Sequence, residues 1–255
     1  MTHMKRFVLK IYRGHPNQQY WETFELPLRS GENVISALME IQRSPVTSEG
    51  KKVTPVVWED GCLEEVCGSC SMLINGIPRQ ACTALIENYT QTGNHTVTIA
   101  PLTKFPLVRD LVVNRDQMFD NLKQIRGWIE SRGSRAEGFG PPMSQAQQKL
   151  AHSLATCMTC GCCSEACPQI NTRSQFIGPA AISQARLFNA HPTSQIAKRH
   201  RLRVLMKEGG ISDCGNAQNC VQVCPKNLPL TESIAVIGRE VTLQAFHDLL
   251  HFHDT

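Results

Sequence analysis

Cys157-Met158-Thr159-Cys160-Gly161-Cys162-Cys163-Ser164-Glu165-Ala166-Cys167-Pro168 decides the architecture of the second half of this chain. Reduced to its spacing it is Cys157-x-x-Cys160-x-x-Cys163-x-x-x-Cys167-Pro168, and it recurs imperfectly as Cys214-x-x-Ala217-x-x-Cys220-x-x-x-Cys224-Pro225. Three cysteines at successive three-residue steps, then Cys-Pro, are the spacing that holds cubane iron–sulfur clusters, with each run's fourth cysteine crossing to the other cluster. The crossing rule gives one cluster Cys157, Cys160, Cys163 and Cys224, and the other Cys214, Cys220 and Cys167. The second set is one thiolate short, because Ala217 stands at a ligand position. Four thiolates hold the four irons of a 4Fe-4S cube. Three, with no side chain to replace the fourth, predict a 3Fe-4S cluster. A four-iron cluster with water or hydroxide at the corner near Ala217 is the alternative, though alanine offers no oxygen or nitrogen to stabilise it.

A third cysteine pattern lies upstream. Cys62-Leu63-Glu64-Glu65-Val66-Cys67-Gly68-Ser69-Cys70, followed by Cys82, has the plant-type spacing for a 2Fe-2S cluster, with an unusually short gap to the fourth cysteine. Asn75-Gly76 between Ser71–Ile74 and Ile77–Cys82 is a strong type I′ hairpin signal, which would return Cys82 to the side of Cys70. Gly61, Gly68 and Ser69 would let the backbone approach the cluster and aim N–H groups at its sulfurs. These three patterns use eleven of the twelve cysteines and leave Cys162. A cysteine outside the ligand spacing ordinarily behaves as a small buried hydrophobe, and only spacing separates Cys162 from its neighbour Cys163.

Competing uses of the cysteines fare worse. Met1 to Arg13 has no apolar stretch of the length a secretory signal needs, which argues for a reducing compartment and against disulfides. Zinc sites favour two separated Cys-x-x-Cys pairs rather than three evenly stepped cysteines. A net charge of +4 and 6% aromatic residues, without basic–aromatic interleaving, point away from nucleic acid. No run of eighteen apolar residues predicts a membrane span, so any membrane connection comes through partners.

The chain of 255 residues is long enough for two domains. Phe7–Tyr12 and Tyr20–Leu26 are β-prone around the breaker Gly14-His15-Pro16-Asn17, and Asn33 can cap a helix with Val34, Ile35, Leu38, Met39 and Ile41 at helical spacing. Strands are expected at Pro55–Trp58, in the hairpin, and at Thr96–Ile99. Pro101 and Pro106 bracket a linker, and strand signals vanish from Leu107 onward. Helices are expected at Asp116–Glu130, Ser144–Leu154, Pro179–Asn189, Gln195–Lys207 and Leu230–Leu250, with an exposed loop over Ser131–Pro142. The fold class is α+β. Residues 1–105 form a plant-ferredoxin-like β-grasp domain, and residues 106–255 an all-α bacterial-ferredoxin-like domain stapled by its clusters.

In order and spacing, the Cys62–Cys70 motif, the compact reach to Cys82, and the two runs with their missing ligand resemble the iron–sulfur subunits of succinate dehydrogenase and fumarate reductase. Phe176-Ile177-Gly178-Pro179-Ala180 is similar to the family's link between the runs. The resemblance implies an electron-transfer subunit without catalytic side chains of its own, relaying single electrons through 2Fe-2S, 4Fe-4S and 3Fe-4S clusters. It implies two partners, an FAD-containing flavoprotein that oxidises succinate and a membrane anchor that holds quinone. The 2Fe-2S cluster would face the flavin and the 3Fe-4S cluster the quinone, which makes Pro168 and Ala217 quinone-side candidates.

Some members carry tryptophans shortly after the first Cys-Pro and a histidine right after the first cysteine of the second run. Here Gln169-Ile170-Asn171-Thr172 and Gly215 occupy those places. Those departures argue against a ubiquinone-type pocket. The overall wording resembles Gram-positive members that use menaquinone with a haem-bearing cytochrome b anchor, and that resemblance implies a peripheral position on the cytoplasmic face of the cell membrane. Succinate oxidation is favoured, with fumarate reduction, or a role in another flavin-linked complex, as alternatives. A diffusing ferredoxin-like carrier and a redox-silent structural cluster protein are the other classes open to such a sequence.

Weaker signals remain. Arg79, near Cys82, would raise the 2Fe-2S potential or be a solvated arginine. The run Lys198-Arg199-His200-Arg201 with Arg203 would dock a partner or anionic lipid, or form a solvated helix face. His247, His251 and His253 have metal-like spacing on a polar C-terminus, and Trp21, Trp58 and Trp128 are most simply core or interface residues.

Overall fold

A computed structural model describes residues 5–91, 93, 95–129 and 142–251. They divide between two compact units: Met1–Arg115 with Cys160–Glu165, and Asp116–Thr159 with Ala166–Thr255.

The first unit is built on alternation. β1 (Arg6–His15) buries Phe7, Leu9 and Ile11 at every second position, as a half-buried strand must. It pairs antiparallel with β2 (Gln18–Pro27). α1 (Val34–Arg43) begins where Asn33 Oδ1 accepts the Ser36 N–H at 2.9 Å, the cap expected from sequence. It turns Val34, Ile35, Ala37, Leu38 and Ile41 inward, while Met39, expected on that face, is 42% exposed.

β3 (Ser71–Ile74) and β4 (Ile77–Gln80) form the hairpin, with φ of 48° at Asn75 and 79° at Gly76 as a type I′ turn requires. A short α2 (Glu87–Thr90) leads to β5 (Thr96–Ala100), which runs parallel to β1 and antiparallel to β3. The five-stranded order is β2-β1-β5-β3-β4. A mixed sheet grasping one helix is the expected β-grasp.

Two expectations fail here. Pro55–Trp58 is not a strand: its backbone groups bond to side chains, with Arg13 donating to the carbonyls of Thr54 and Pro55, and Asp110 accepting the Val57 N–H. Strand structure also continues past Leu107, as β6 (Leu107–Arg109) pairs with β7 (Val112–Val113). Two- and three-residue strands are too short to leave a periodic signal.

The second unit is helical: α3 (Asp116–Gln124), α4 (Gln145–Ala155), α6 (Pro179–Ala190), α7 (Gln195–Leu205), α8 (Asn219–Gln222) and α9 (Leu230–Leu250), with α5 (Cys162–Ala166) ahead of α6 and divided between the units. Ser144 and Gln147 close a reciprocal capping box on α4. α6 starts with Pro179 and buries Ile182 together with Ala180, Ala181, Ser183 and Ala185, small residues that let α4, α7 and α9 pack around it. Ile125, Phe176, Leu202, Leu205, Ile237 and Val241 share its core with Cys167. The loop expected over Ser131–Pro142 lies outside the described residues, Pro142 excepted. Among the described residues no helix is long and apolar enough to cross a membrane.

Candidate metal centres

In the Cys62–Cys70 loop, N–H groups converge on sulfur. Those of Glu64, Val66 and Cys67 reach Cys62 Sγ at 3.4, 3.2 and 3.3 Å, and the Cys62 N–H reaches Cys67 Sγ at 3.5 Å. The winding that aims them puts Leu63 and Glu65 in the left-handed region, at φ of 59° and 54°, alongside Gly68 at 75°. Bulky residues rarely adopt that conformation, and such strain concentrates at functional loops. At Gly61 a Cβ would stand 3.2 Å from Cys67 Sγ, a tight approach that the bare backbone relieves. The tip carries Leu63 and Val66 outward, both largely exposed.

Donors and charges sort the thiols. A hydrogen bond from the Ser69 side chain, helped by the Cys62 and Ser69 backbone, brings Cys67 down to about 6. Burial, opposed by the Cys82 backbone, pushes Cys70 up to about 12 beside the Cys82 thiol. The hairpin thus brings Cys82 back to Cys70, with the Ala81 N–H on the Cys70 carbonyl at 3.1 Å. Asn33 adds a second duty to its capping role, donating from Nδ2 to the Cys82 carbonyl at 2.9 Å. Arg115 holds the loop from behind through the Gly68 and Ser69 carbonyls and pairs with Glu59 at 3.1 Å. Thiols flanked by N–H donors and freed of Cβ bulk fit a 2Fe-2S cluster, whose sulfurs carry negative charge.

The Cys160–Glu165 segment belongs to this same unit. Cys160 is brought down to about 7, first by the Cys162 thiol donating to it and then by its backbone surroundings and the Arg115 charge. Cys162 is fully buried, and its thiol is pushed up by that bond to Cys160 and by burial. Glu165 fastens the segment by accepting the Thr103 and Lys104 N–H groups at 2.9 and 3.0 Å. Cys157 and Cys224, the other residues of the expected 4Fe-4S set, belong to the second unit.

The remaining set lies within the second unit. Cys167, Cys214 and Cys220 line one hollow of about 340 Å³, part of it open to solvent, with Pro168 and Ala217 on its wall. Burial raises Cys220, and the neighbouring Cys167 and Cys214 raise it further, as expected of three thiols in one site. Asn216 and Gln218 take left-handed backbone on either side of Ala217, at φ of 51° and 62°. Asn219 ties the loop to the first run through the Ala166 carbonyl at 3.0 Å. The Gln169 amide fills the place where a side chain at Gly215 would start. Three thiols, an alanine and a preformed hollow fit a three-iron cluster.

A model of the 2Fe-2S iron–sulfur cluster binding domain matches residues 8–120, and a model of the 4Fe-4S dicluster domain matches residues 153–228. The chain is 53% identical to the succinate dehydrogenase iron–sulfur subunit of Bacillus subtilis, over 95% of this chain and 94% of that one. It belongs to that family of iron–sulfur subunits. The fumarate reductase iron–sulfur subunit of Escherichia coli O6:H1 is more distant, at 28% identity over 89% of this chain and 90% of that one. A chain of the Mycobacterium smegmatis Sdh1 complex, solved in the apo form, has the same fold, with a TM-score of 0.81 at 22% identity over 95% of this chain and 98% of that one. Iron–sulfur subunits of succinate dehydrogenase carry 2Fe-2S, 4Fe-4S and 3Fe-4S clusters, and this chain has the domains for them.

Other sequence signals resolve differently. The basic run is divided: Arg201 is wholly buried on Asn189 and Ser194, Lys198 pairs with Glu240 and His200 meets the Gln124 carbonyl, whereas Arg199 and Arg203, the latter paired with Asp248, are exposed as on a solvated helix face. Trp58 packs at the edge of the sheet core and donates to Asp60, whereas Trp21 and Trp128 are exposed. His247 and His251 stack with ring centroids 4.3 Å apart, and His253 lies outside the described residues.

Arg79 points outward on β4, away from the buried Gln80 beside it. An Arg79→Gln variant is therefore expected to leave the 2Fe-2S midpoint unchanged in a redox titration, since water screens an exposed charge. Gln80, Arg115 and Asn33, rather than Arg79, touch the cysteine loop and its hairpin. Alternation sets Pro78 and Gln80 on one face of the strand and Ile77 and Arg79 on the other, but which face is buried is decided by the sheet it joins.

Proposed function

We propose that this chain is the electron-transfer subunit of a succinate:quinone oxidoreductase, working between an FAD-containing flavoprotein and a membrane-anchor subunit. The observation that carries the reading is the hollow in which Cys167, Cys214 and Cys220 meet around Ala217, because a simple two-cubane carrier has no use for a missing ligand. Cys62, Cys67, Cys70 and Cys82 would hold the 2Fe-2S cluster, Cys157, Cys160, Cys163 and Cys224 the 4Fe-4S cluster, and Cys167, Cys214 and Cys220 the 3Fe-4S cluster. When bound, the clusters supply a row of one-electron carriers that match a two-electron flavin to quinone, with potentials set by cluster type, hydrogen bonds and exposure.

The chain's own side chains take no proton from substrate in this reading. Its thiolates bind iron, the loop N–H groups stabilise sulfur charge, and Arg115 fixes the loop that presents them. Sequence identity of 53% to a succinate dehydrogenase subunit against 28% to a fumarate reductase subunit favours the oxidising direction. Pro168 and Ala217 on the wall of the hollow are the quinone-side candidates. Gly215 stands where some relatives carry a histidine, with the Gln169 amide against it, and this departure favours the menaquinone type with a cytochrome b anchor on the cytoplasmic face of the membrane. Within this reading the β-grasp domain runs past residue 105 to Arg115, because β6, β7 and the Asp110 network belong to the first unit.

Electron paramagnetic resonance of the anaerobically purified complex tests the reading. The oxidised sample is expected to give a signal of about one spin per chain from a three-iron cluster, replaced on dithionite reduction by signals of two other clusters. An oxidised sample without such a signal overturns it.

A further inference from the structure

Gln80 is a carboxamide with 1% exposure, lodged between two cysteine segments of the first unit. Its Oε1 lies 3.5 Å from Cys70 Sγ, and its Nε2 lies 3.5 Å from Cys162 Sγ and 2.9 Å from Ser71 Oγ. One side chain therefore touches a candidate 2Fe-2S ligand and the thiol wedged between Cys160 and Cys163. A buried polar group at such a junction is kept only if every end is satisfied.

The orientation with Cys70 donating to Oε1 suits a protonated thiol. A thiolate bound to iron has no proton to give, so the carbonyl would then face negative sulfur. Half a turn about the last side-chain bond presents Nε2 to Cys70 and Oε1 to Ser71 and Cys162, both of which carry hydrogens; the two amide ends are nearly the same shape. Ser71 now donates to the Gly68 carbonyl at 2.8 Å, and that carbonyl keeps Arg115 at 2.7 Å if the hydroxyl turns away. Cys162 then gives Oε1 the one hydrogen it otherwise gives Cys160, whose sulfur would be held by iron in this reading.

We propose that Gln80 is a positioning residue that donates a hydrogen bond to the Cys70 sulfur and is itself held by Cys162, so that one amide raises the 2Fe-2S potential and ties it to the segment bearing Cys160 and Cys163. The inference rests on the ligand reading above. Donors to cluster sulfur stabilise the reduced, more negative state, and partners of ligands tune metal sites in this way.

The test uses the whole complex, with potentials and nitrogen couplings read by paramagnetic resonance. Gln80→Leu keeps the volume and removes the amide. Its 2Fe-2S reduction constant is expected to fall about tenfold, ~59 mV for one electron, with the 3Fe-4S midpoint unmoved. In protein labelled with nitrogen-15 at glutamine side chains, the reduced 2Fe-2S signal of the unsubstituted complex is expected to show a nitrogen-15 coupling that Gln80→Leu abolishes. A merely structural role would not produce that coupling.

Cys162→Ala, which removes the thiol that holds Oε1, is expected to lower the same midpoint by less. Should Gln80→Leu fail to assemble, the labelled complex and Cys162→Ala still decide. An absent nitrogen-15 coupling, or an unmoved midpoint in either loaded variant, overturns the proposal for Gln80 and leaves the ligand assignment intact. An unsubstituted complex without a reduced 2Fe-2S signal overturns both.

Discussion

Replacing Ala217 by cysteine is expected to remove the paramagnetic signal of the oxidised protein and to slow quinone reduction severely, while succinate still reduces the other two clusters. Ala217 lies on the wall of the hollow that Cys167, Cys214 and Cys220 share, and its surroundings are open rather than packed. A sulfur there meets no steric resistance of the kind that penalises larger side chains in a core. The loop is already wound by left-handed Asn216 and Gln218, so a side chain at residue 217 needs no new backbone conformation.

The fourth thiolate completes the set that the first run has and the second lacks. A 4Fe-4S cluster with four thiolates is diamagnetic when oxidised, and carries more negative charge from its protein ligands than one with three. Its potential should fall, away from quinone and within a range that spans roughly −700 to +450 mV across such clusters. Spin quantification of the oxidised Ala217→Cys complex checks this. A persisting signal of about one spin per chain would show that residue 217 does not face the cluster, against the crossing rule. Ala217→Ser is the control, since an oxygen is a poor substitute for thiolate and should leave most of the three-iron signal.

The sequence announced both clustered regions because cysteine spacing is a local code, and the sheet because β1 alternates cleanly and Asn75-Gly76 permits one turn type. What it concealed depends on long-range partners. Pro55–Trp58 has the residues of a strand, yet its carbonyls and N–H groups are taken by Arg13 and Asp110, which lie far from it in sequence. The run from Lys198 to Arg203 looks uniformly solvated until Asn189 and Ser194 take Arg201 inside and Glu240 and Asp248 pair with Lys198 and Arg203, which leaves Arg199 and Arg203 exposed. α5 and α8 are too short to leave a periodic pattern and are fixed by the cysteine runs that contain them. Gln80 shows the limit from the other side. Alternation sets it on the face opposite Arg79, but the groups that bury it and make it chemically interesting, Cys70 and Cys162, meet only in three dimensions.

Truncating Asp110 to alanine should cost the first unit about 3–5 kcal/mol, the usual penalty for leaving a buried charge without its partner. Arg13 and Asp110 have side chains only 2% exposed, and Arg13 reaches both carboxylate oxygens, at 3.1 and 3.2 Å. Asp110 also accepts the N–H groups of Gly14 and Val57, at 3.0 and 2.9 Å. The cost therefore has two sources: an arginine left with Glu22 as its carboxylate partner, and two N–H groups stripped of acceptors, each worth about 1–3 kcal/mol when buried. The second source distinguishes this pair from ion pairs that apolar residues can replace. Substituting Arg13→Met together with Asp110→Leu should recover only part of the loss, because neither new side chain accepts from Gly14 or Val57. By contrast Arg6→Ala, which breaks a pair with Glu25 exposed by 53% and 44%, should change stability by less than about 1 kcal/mol. Urea denaturation followed by circular dichroism ranks the three. Val57 anchors the stretch that runs into Cys62, so Asp110→Ala should also lose 2Fe-2S content before it loses sheet structure. Equal stability losses for Asp110→Ala and Arg6→Ala would mean that the buried network does not hold that stretch.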